Sequence, residues 1–312
     1  MKSLTRNETA AFLQQHDHYA IVTHRRPDGD TIGSSALLCL GLRQLGKTAH
    51  ILSNPEITPK YAHLHKDLTK DMAESGDTIV TVDVASENML PGCFSTLPFA
   101  LRIDHHGTAS SFTPCELVEP KVAACGEIVY GVLQMLGVTL DVPMAEALYT
   151  AISTDTGCFR YANTTSDTFA AASACAKAGA DIFGINQALF ETNSLGRLRL
   201  QGWLVENAIF LQDRKIVICA LPKQIEEALG LTEDDLENIS GFPRSIEGVK
   251  IAATIRQEGA GVKLSVRAVP GYDAASLCAK FGGGGHKGAA GASMAMSMDE
   301  AVKAVIAALP VI

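Results

Sequence analysis

The chain has 312 residues, enough for two domains at roughly 150 residues each. Hydrophobic residues make up 47% and charged residues 19%, with no low-complexity tract, which excludes a disordered or fibrous chain. A formal net charge of -8 excludes a broad basic coat for nucleic acid, so any polyanion must be met locally.

The opening stretch MKSLTRNETAAFLQQ carries charges where a signal peptide would be apolar, and no apolar run reaches the roughly 20 residues of a membrane span. A cytoplasmic protein without a membrane partner is expected. Its eight cysteines form no CxxC pair and read as reduced thiols.

Tyr19 to Thr23 reads as a strand, Ile32 to Leu45 as a helix and Thr48 to Leu52 as a second strand. Strand, helix, strand within about 35 residues is a βαβ unit and implies parallel pairing. Strands follow at Thr78 to Val82 and Phe99 to Ile103, then helices at Cys125 to Leu136, Met144 to Ser153 and Ser166 to Ala178. Residues 1–185 are therefore expected to form an α/β domain with a doubly wound, mainly parallel sheet. Residues 186–209 read as a connecting helix or linker. Residues 210–312 carry strands at Lys215 to Ala220, Val249 to Arg256 and Val262 to Val269, with helices at Lys223 to Leu229, Asp273 to Lys280 and Asp299 to Ala308. That pattern predicts a smaller α+β domain, expected to face the first across a cleft.

Parallel sheets gather ligands beyond the carboxyl ends of their strands. Four polar segments belong there: His24, Asp28 and Asp30 in HRRPDGD, Asp83 in IVTVDVAS, Asp104, His105 and His106 in LRIDHHGT, and Asp155 in AISTDTG. Asp155 follows a helical stretch, so its placement is expected to rest on a loop. Asp30 could instead cap the helix that follows it. So many carboxylates in one cleft would repel one another and shift toward protonation unless cations neutralised them. Mixed imidazole and carboxylate ligation suits Mn2+, accepts Mg2+ or Co2+, and without thiolates does not read as structural zinc. About seven groups imply two ions sharing one carboxylate, a pair able to activate water and clamp both oxygens of an in-line phosphoryl displacement. The constellation reads as a phosphoesterase centre.

In the second domain Gly282 to Gly285 precede His286 and Lys287. The tract reads either as a linker or as a backbone nest in which Gly283, Gly284, Gly285, His286 and Lys287 hold a substrate anion. From Arg244 to Lys287 seven basic residues face three acidic ones, a local balance of 7 - 3 = +4. Arg256 and Arg267 suit bidentate phosphate recognition, or could pair with Glu258 and Asp273; Arg160, past Asp155, is equally ambiguous. Aromatic residues, at 6%, are too few for an extended base-stacking surface, which favours short substrates.

In order and spacing, HRRPDGDTIGS, Asp83, the triplet DHH at 104–106 and STDTG around Asp155 resemble the four motifs of the DHH phosphoesterase superfamily. The tail FGGGGHKGAAGAS resembles the signature of the DHHA1 domain. Length and layout are most similar to the bacterial nanoRNase and 3'-phosphoadenosine-5'-phosphate (pAp) phosphatase group. The resemblance implies Mn2+-dependent hydrolysis of short oligoribonucleotides to mononucleotides and of pAp to AMP. It further implies that His24 and Asp28 hold one ion, that Asp30, His105 and Asp155 hold the second, and that Asp83 bridges them. Asp104 would orient the neighbouring histidine. His106 would face the substrate phosphate as general acid or charged donor. Hydrolysis of linear or cyclic dinucleotides such as pGpG or cyclic di-AMP, or a catalytically silent nucleotide sensor, are the competing readings. The sequence leaves open whether the chain is a homodimer.

Overall fold

In the computed structural model, which describes residues 1–107 and 110–312, the chain folds as two units, Met1–Thr192 and Asn193–Ile312. The first contains strands β1 (Lys2–Ser3), β2 (Tyr19–Val22), β3 (Ala49–Leu52), β4 (Thr69–Lys70), β5 (Thr78–Val82), β6 (Phe99–Asp104) and β7 (Cys115–Val118). They form one sheet in the order β1-β7-β6-β5-β2-β3-β4, and every pairing is parallel. Tyr19, Ala20, Ile21 and Val22 are all buried, as expected of a parallel strand covered on both faces. The order of connection reverses between β2 and β5, which makes their carboxyl ends the switch point of the sheet.

Its helices are α1 (Arg6–Gln15), α2 (Gly29–Gln44), α3 (Pro59–Ala62), α4 (Cys125–Met135), α5 (Val142–Asp155), α6 (Ser166–Ala178) and α7 (Ile182–Asn186). Asp28 caps α2: its Oδ1 accepts the N–H groups of Asp30 at 3.1 Å and Thr31 at 3.2 Å. Two glycines let α2 lie tightly on α5. A Cβ at Gly33 would fall 2.3 Å from the Ala147 carbonyl oxygen, and one at Gly29 would fall 2.4 Å from Thr154. The second contact sets the start of α2 against the end of α5 and so brings Asp28 and Asp30 toward Asp155.

The second unit contains α8 (Leu195–Glu206), β8 (Ile209–Leu211), β9 (Ile216–Leu221), α9 (Lys223–Ala228), α10 (Glu233–Leu236), β10 (Ile251–Glu258), β11 (Gly261–Ala268), α11 (Ala274–Ala279), β12 (Gly284–Gly285), β13 (Ala289–Met294) and α12 (Met298–Ala308). Its six-stranded sheet runs β12-β13-β11-β10-β9-β8, antiparallel except between β9 and β10. Leu277 and Cys278 of α11 and Ala301 and Val305 of α12 bury one face, against Ile218, Ile255 and Leu264. Leu200 and Leu204 of α8 cover Val217, Cys219 and Ala252 on the other. Residues 186–209 divide at the boundary between units: Gln187–Glu191 forms a π-helical turn of the first, and α8 packs into the core of the second. Among the described residues no helix is long and apolar enough to cross a membrane, and all eight cysteines are free thiols.

Candidate metal centre

Three adjacent strands of the first sheet end in the motif residues. β2 leads through Thr23 into His24, β5 runs into Asp83, and β6 ends at Asp104 and delivers His105 and His106. The Asp83 N–H donates to the Ile103 carbonyl at 2.9 Å, which extends the β5–β6 pairing one rung past β5. Asp83 itself has φ +60°, a left-handed conformation that most side chains resist and aspartate tolerates.

Two groups of three ligand atoms result, each within 4.8 Å of one another: His24, Asp28 and Asp83; and Asp30, His105 and Asp155. His24 Nε2 lies 3.6 Å from Asp28 Oδ1 and 3.7 Å from Asp83 Oδ2. His105 Nε2 lies 3.3 Å from Asp155 Oδ2, 3.7 Å from Asp30 Oδ2 and 3.5 Å from Asp83 Oδ1. Asp83 thus presents one oxygen to each group. A third grouping, Asp83, His105 and His106, overlaps both.

The imidazoles are turned for ligation. His24 Nδ1 meets the Arg25 carbonyl at 2.8 Å and His105 Nδ1 meets the Val122 carbonyl at 3.2 Å. A carbonyl can only accept, so Nδ1 carries the proton and each Nε2 offers a lone pair toward the carboxylates.

Asp30 does not cap the helix that follows it, because Asp28 already does. Its oxygens instead accept the Cys125 N–H at 2.6 Å and the Gly126 N–H at 3.0 Å, at the start of α4, and the Ser34 hydroxyl at 2.9 Å. Asp155 is the last residue of α5, not part of a loop. Asp104 Oδ1 accepts the ring Nδ1–H of His106 at 2.8 Å and the backbone N–H of His105 at 2.8 Å. The ring that Asp104 orients is therefore that of His106, while a backbone carbonyl orients His105.

Burial, reinforced by the charges of Asp30, Asp28, Asp155 and Asp104, pushes the Asp83 carboxyl well above its ordinary range. Burial also raises Asp155 well above it, with Asp30 and Asp28 adding to the effect. Burial raises Asp30 too, against the attraction of His105. Crowding by protein atoms would raise Asp28, but hydrogen bonding and attraction to His24 outweigh it and pull Asp28 down. Burial would lower His106, yet its bond to Asp104 raises it. Asp83 Oδ1 is buried and accepts no hydrogen bond from the protein. A buried, unpartnered carboxylate oxygen beside two imidazole lone pairs and two carboxyls of raised pKa fits a divalent cation, which would take the place of protons.

Of the residues expected to hold substrate, Arg160 belongs to the first unit and Arg256, Arg267 and 283–287 to the second. Arg160 is exposed, its Nε–H donating to the Gly157 carbonyl at 2.6 Å. Arg256 is engaged by Glu226 at 2.7 and 3.2 Å and by Glu233 at 3.2 Å, neither of them the expected Glu258. Arg267, half-buried on β11, pairs with Ala252 of β10, while Asp273 caps α11. Part of the glycine tract's N–H set is used within the fold. The N–H groups of Gly282, Gly283 and His286 donate to the carbonyls of Ala279, Cys278 and Ala289. Gly284 and Gly285 pair with β13, where a Cβ at Gly283 would fall 2.1 Å from the Gly291 carbonyl oxygen. The glycines permit this close pairing, and His286 and Lys287 stand exposed on the turn beyond it.

Residues 18–152 match the DHH family, N-terminal domain, and residues 214–310 match the DHHA1 domain. The bifunctional oligoribonuclease and PAP phosphatase NrnA of Thermus thermophilus is 31% identical over 292 residues, covering 93% of this chain and 88% of its own. The Bacillus subtilis protein of that name is 24% identical over 301 residues, 95% of each chain. An exopolyphosphatase-related protein of Bacteroides fragilis superposes with a TM-score of 0.83 at 26% identity, covering 97% of this chain and 94% of that one. RecJ of Thermus thermophilus, solved in complex with Mn2+, shares the fold at a TM-score of 0.55 and 15% identity, over 97% of this chain and 53% of its own.

Proposed function

We propose a substrate class from one premise: this chain belongs to the DHH family and carries a DHHA1 domain behind its catalytic one. It is a metal-dependent phosphoesterase, and we assign it the hydrolysis of short oligoribonucleotides to mononucleotides and of pAp to AMP. The observation that carries the reading is the pair of three-ligand groups, with Asp83 a member of the first and its Oδ1 3.5 Å from His105 Nε2 of the second.

In this assignment His24, Asp28 and Asp83 hold one ion and Asp83, Asp30, His105 and Asp155 hold the other. We propose Mn2+, since two imidazoles among carboxylates match its ligand preference. Bound there, the ions supply Lewis-acid polarisation of the phosphoryl group and activation of water. His106, whose bond to Asp104 favours its charged form, would donate from its free Nε2 to the phosphate or to the departing oxygen. The proposed contacts to the rest of the substrate are Arg160, Arg267, His286 and Lys287. Arg256 is left out, since Glu226 and Glu233 already take its guanidinium.

The test is turnover by metal-stripped protein reloaded with Mn2+, Mg2+ or Co2+, on RNA dimers to pentamers, pAp, pGpG and cyclic di-AMP. Mononucleotide release from the short RNAs and AMP from pAp, highest with Mn2+, is expected. Turnover of the dinucleotide signals alone would replace the substrate assignment, and binding of pAp without turnover of any candidate would make the protein a sensor.

A further inference from the structure

Strand β6 reads FALRID, and in its middle sits a charge: Arg102 is only 1% exposed. Its Nη1 donates to the carbonyls of Ala85 and Ser110, both at 3.1 Å, and its Nη2 to Glu116 Oε2 at 2.7 Å. Nη1 also lies 3.9 Å from Asp104 Oδ2. Three of these partners adjoin the motif segments, and the fourth, Glu116, lies on the neighbouring strand outside the centre. Ala85 follows Asp83 by two residues, Ser110 lies beyond the DHH triplet, Asp104 orients His106, and Glu116 stands on β7, where the Ser111 hydroxyl holds it at 3.0 Å.

We propose that Arg102 is a positioning residue for hydrolysis: its planar fork ties the turn carrying Asp83 to Ser110 and holds a positive charge 3.9 Å from Asp104. The proposal rests on the metal centre assigned above. The plainer account is a buried ion pair with Glu116 that serves the fold. As a stabiliser such a pair is a poor choice, since apolar replacements of buried ion pairs are often neutral or better. As a geometric device it is well chosen, because a guanidinium directs several N–H groups in one plane whereas an ammonium is a point charge. The Ser110 N–H also donates to the Ala85 carbonyl at 3.0 Å, so the two segments already touch and the arginine fixes the angle between them.

Arg102→Lys keeps a cation beside Glu116 and removes the fork, and Glu116→Gln keeps the fork and removes the pair. The measurements are Mn2+ affinity of the stripped full chain by titration calorimetry, kcat and KM on an RNA dinucleotide at saturating Mn2+, and Tm in chelator. Arg102→Lys is expected to lower kcat about 10–100-fold and weaken Mn2+ binding about tenfold, the range seen when groups supporting metal ligands are lost, with KM little changed. Glu116→Gln, at a similar cost in Tm, should keep kcat within about threefold. Wild-type Mn2+ affinity and kcat in Arg102→Lys would overturn the proposal, as would losses in both variants that simply follow Tm. If Arg102→Lys does not fold, Glu116→Gln still decides: a kcat drop beyond about tenfold favours the ion pair over the fork. A wild-type chain that binds no Mn2+ would instead remove the metal centre itself, a separate result.

Discussion

The two units use their signature residues in opposite ways. In the first, motif side chains carry the chemistry: carboxylates and imidazoles from four remote segments point at one another and leave Asp83 Oδ1 without a partner. In the second, the motif glycines carry geometry, because a Cβ at Gly283 or Gly285 would run into the backbone of β13. Charge is handled differently too. The first unit crowds like charges and raises the pKa of Asp83 and Asp155, whereas the second pairs Arg256 with Glu226 and Glu233. A cluster that could take a cation is left electrostatically frustrated, and a scaffold is not.

That contrast can be broken most forcefully at Asp83. Asp83→Asn should reduce kcat by about 10³-fold or more and lower the metal content of purified protein measured by mass spectrometry, with little change in Tm in chelator. His106→Ala should cost on the order of 10²–10⁴ in kcat while metal content stays at the wild-type level. In the second unit the dominant effect should be on stability. Gly283→Ala forces a Cβ against the Gly291 carbonyl and should destabilise by about 1–3 kcal/mol in chemical denaturation, without altering the metal titration. His286→Ala should raise KM by about tenfold, the worth of one charge-assisted contact, and leave kcat and metal content alone.

The smallest expected effect concerns pH. Asp83 and Asp155 titrate higher in the folded chain than unfolded, so they contribute stability below the ordinary carboxylate range that is lost as pH rises through their raised values. The raised His24 and His106 act in the same direction at higher pH, while Asp28 and Asp104, pulled down, lose stability only in acid. Metal-free protein should therefore melt a few degrees lower at neutral than at mildly acidic pH, a difference that added Mn2+ should abolish in a calorimetric scan. An unchanged difference with Mn2+ would mean that the carboxylates are not the ligands.

The convergence of the candidate ligands was legible because such chemistry is written in residue type at strand ends, as at His24, Asp83 and His105. What escaped was the supporting layer. Asp30 reaches Cys125 of α4 across 95 residues of sequence, a contact that no local pattern announces. Arg102 gave a signal, a charge inside an apolar strand, that points to a buried partner without saying which. The sheets were legible where apolar runs are β-branched, as at Thr78–Val82. They were not at β13, whose AAGASM has little intrinsic strand preference and pairs because β11 offers an edge. α1 was not anticipated; in the structure Thr5 and Glu8 cap its start reciprocally.

The left-handed backbone at Asp83 narrows what drift can do at that position. Alanine or glutamate there would trade one defect for two, a lost or displaced oxygen and a twisted main chain, whereas asparagine keeps the bend and discards only the charge. Asparagine is thus the replacement at 83 that removes the charge at the least cost to the bend, and it separates the loss of chemistry from the loss of fold.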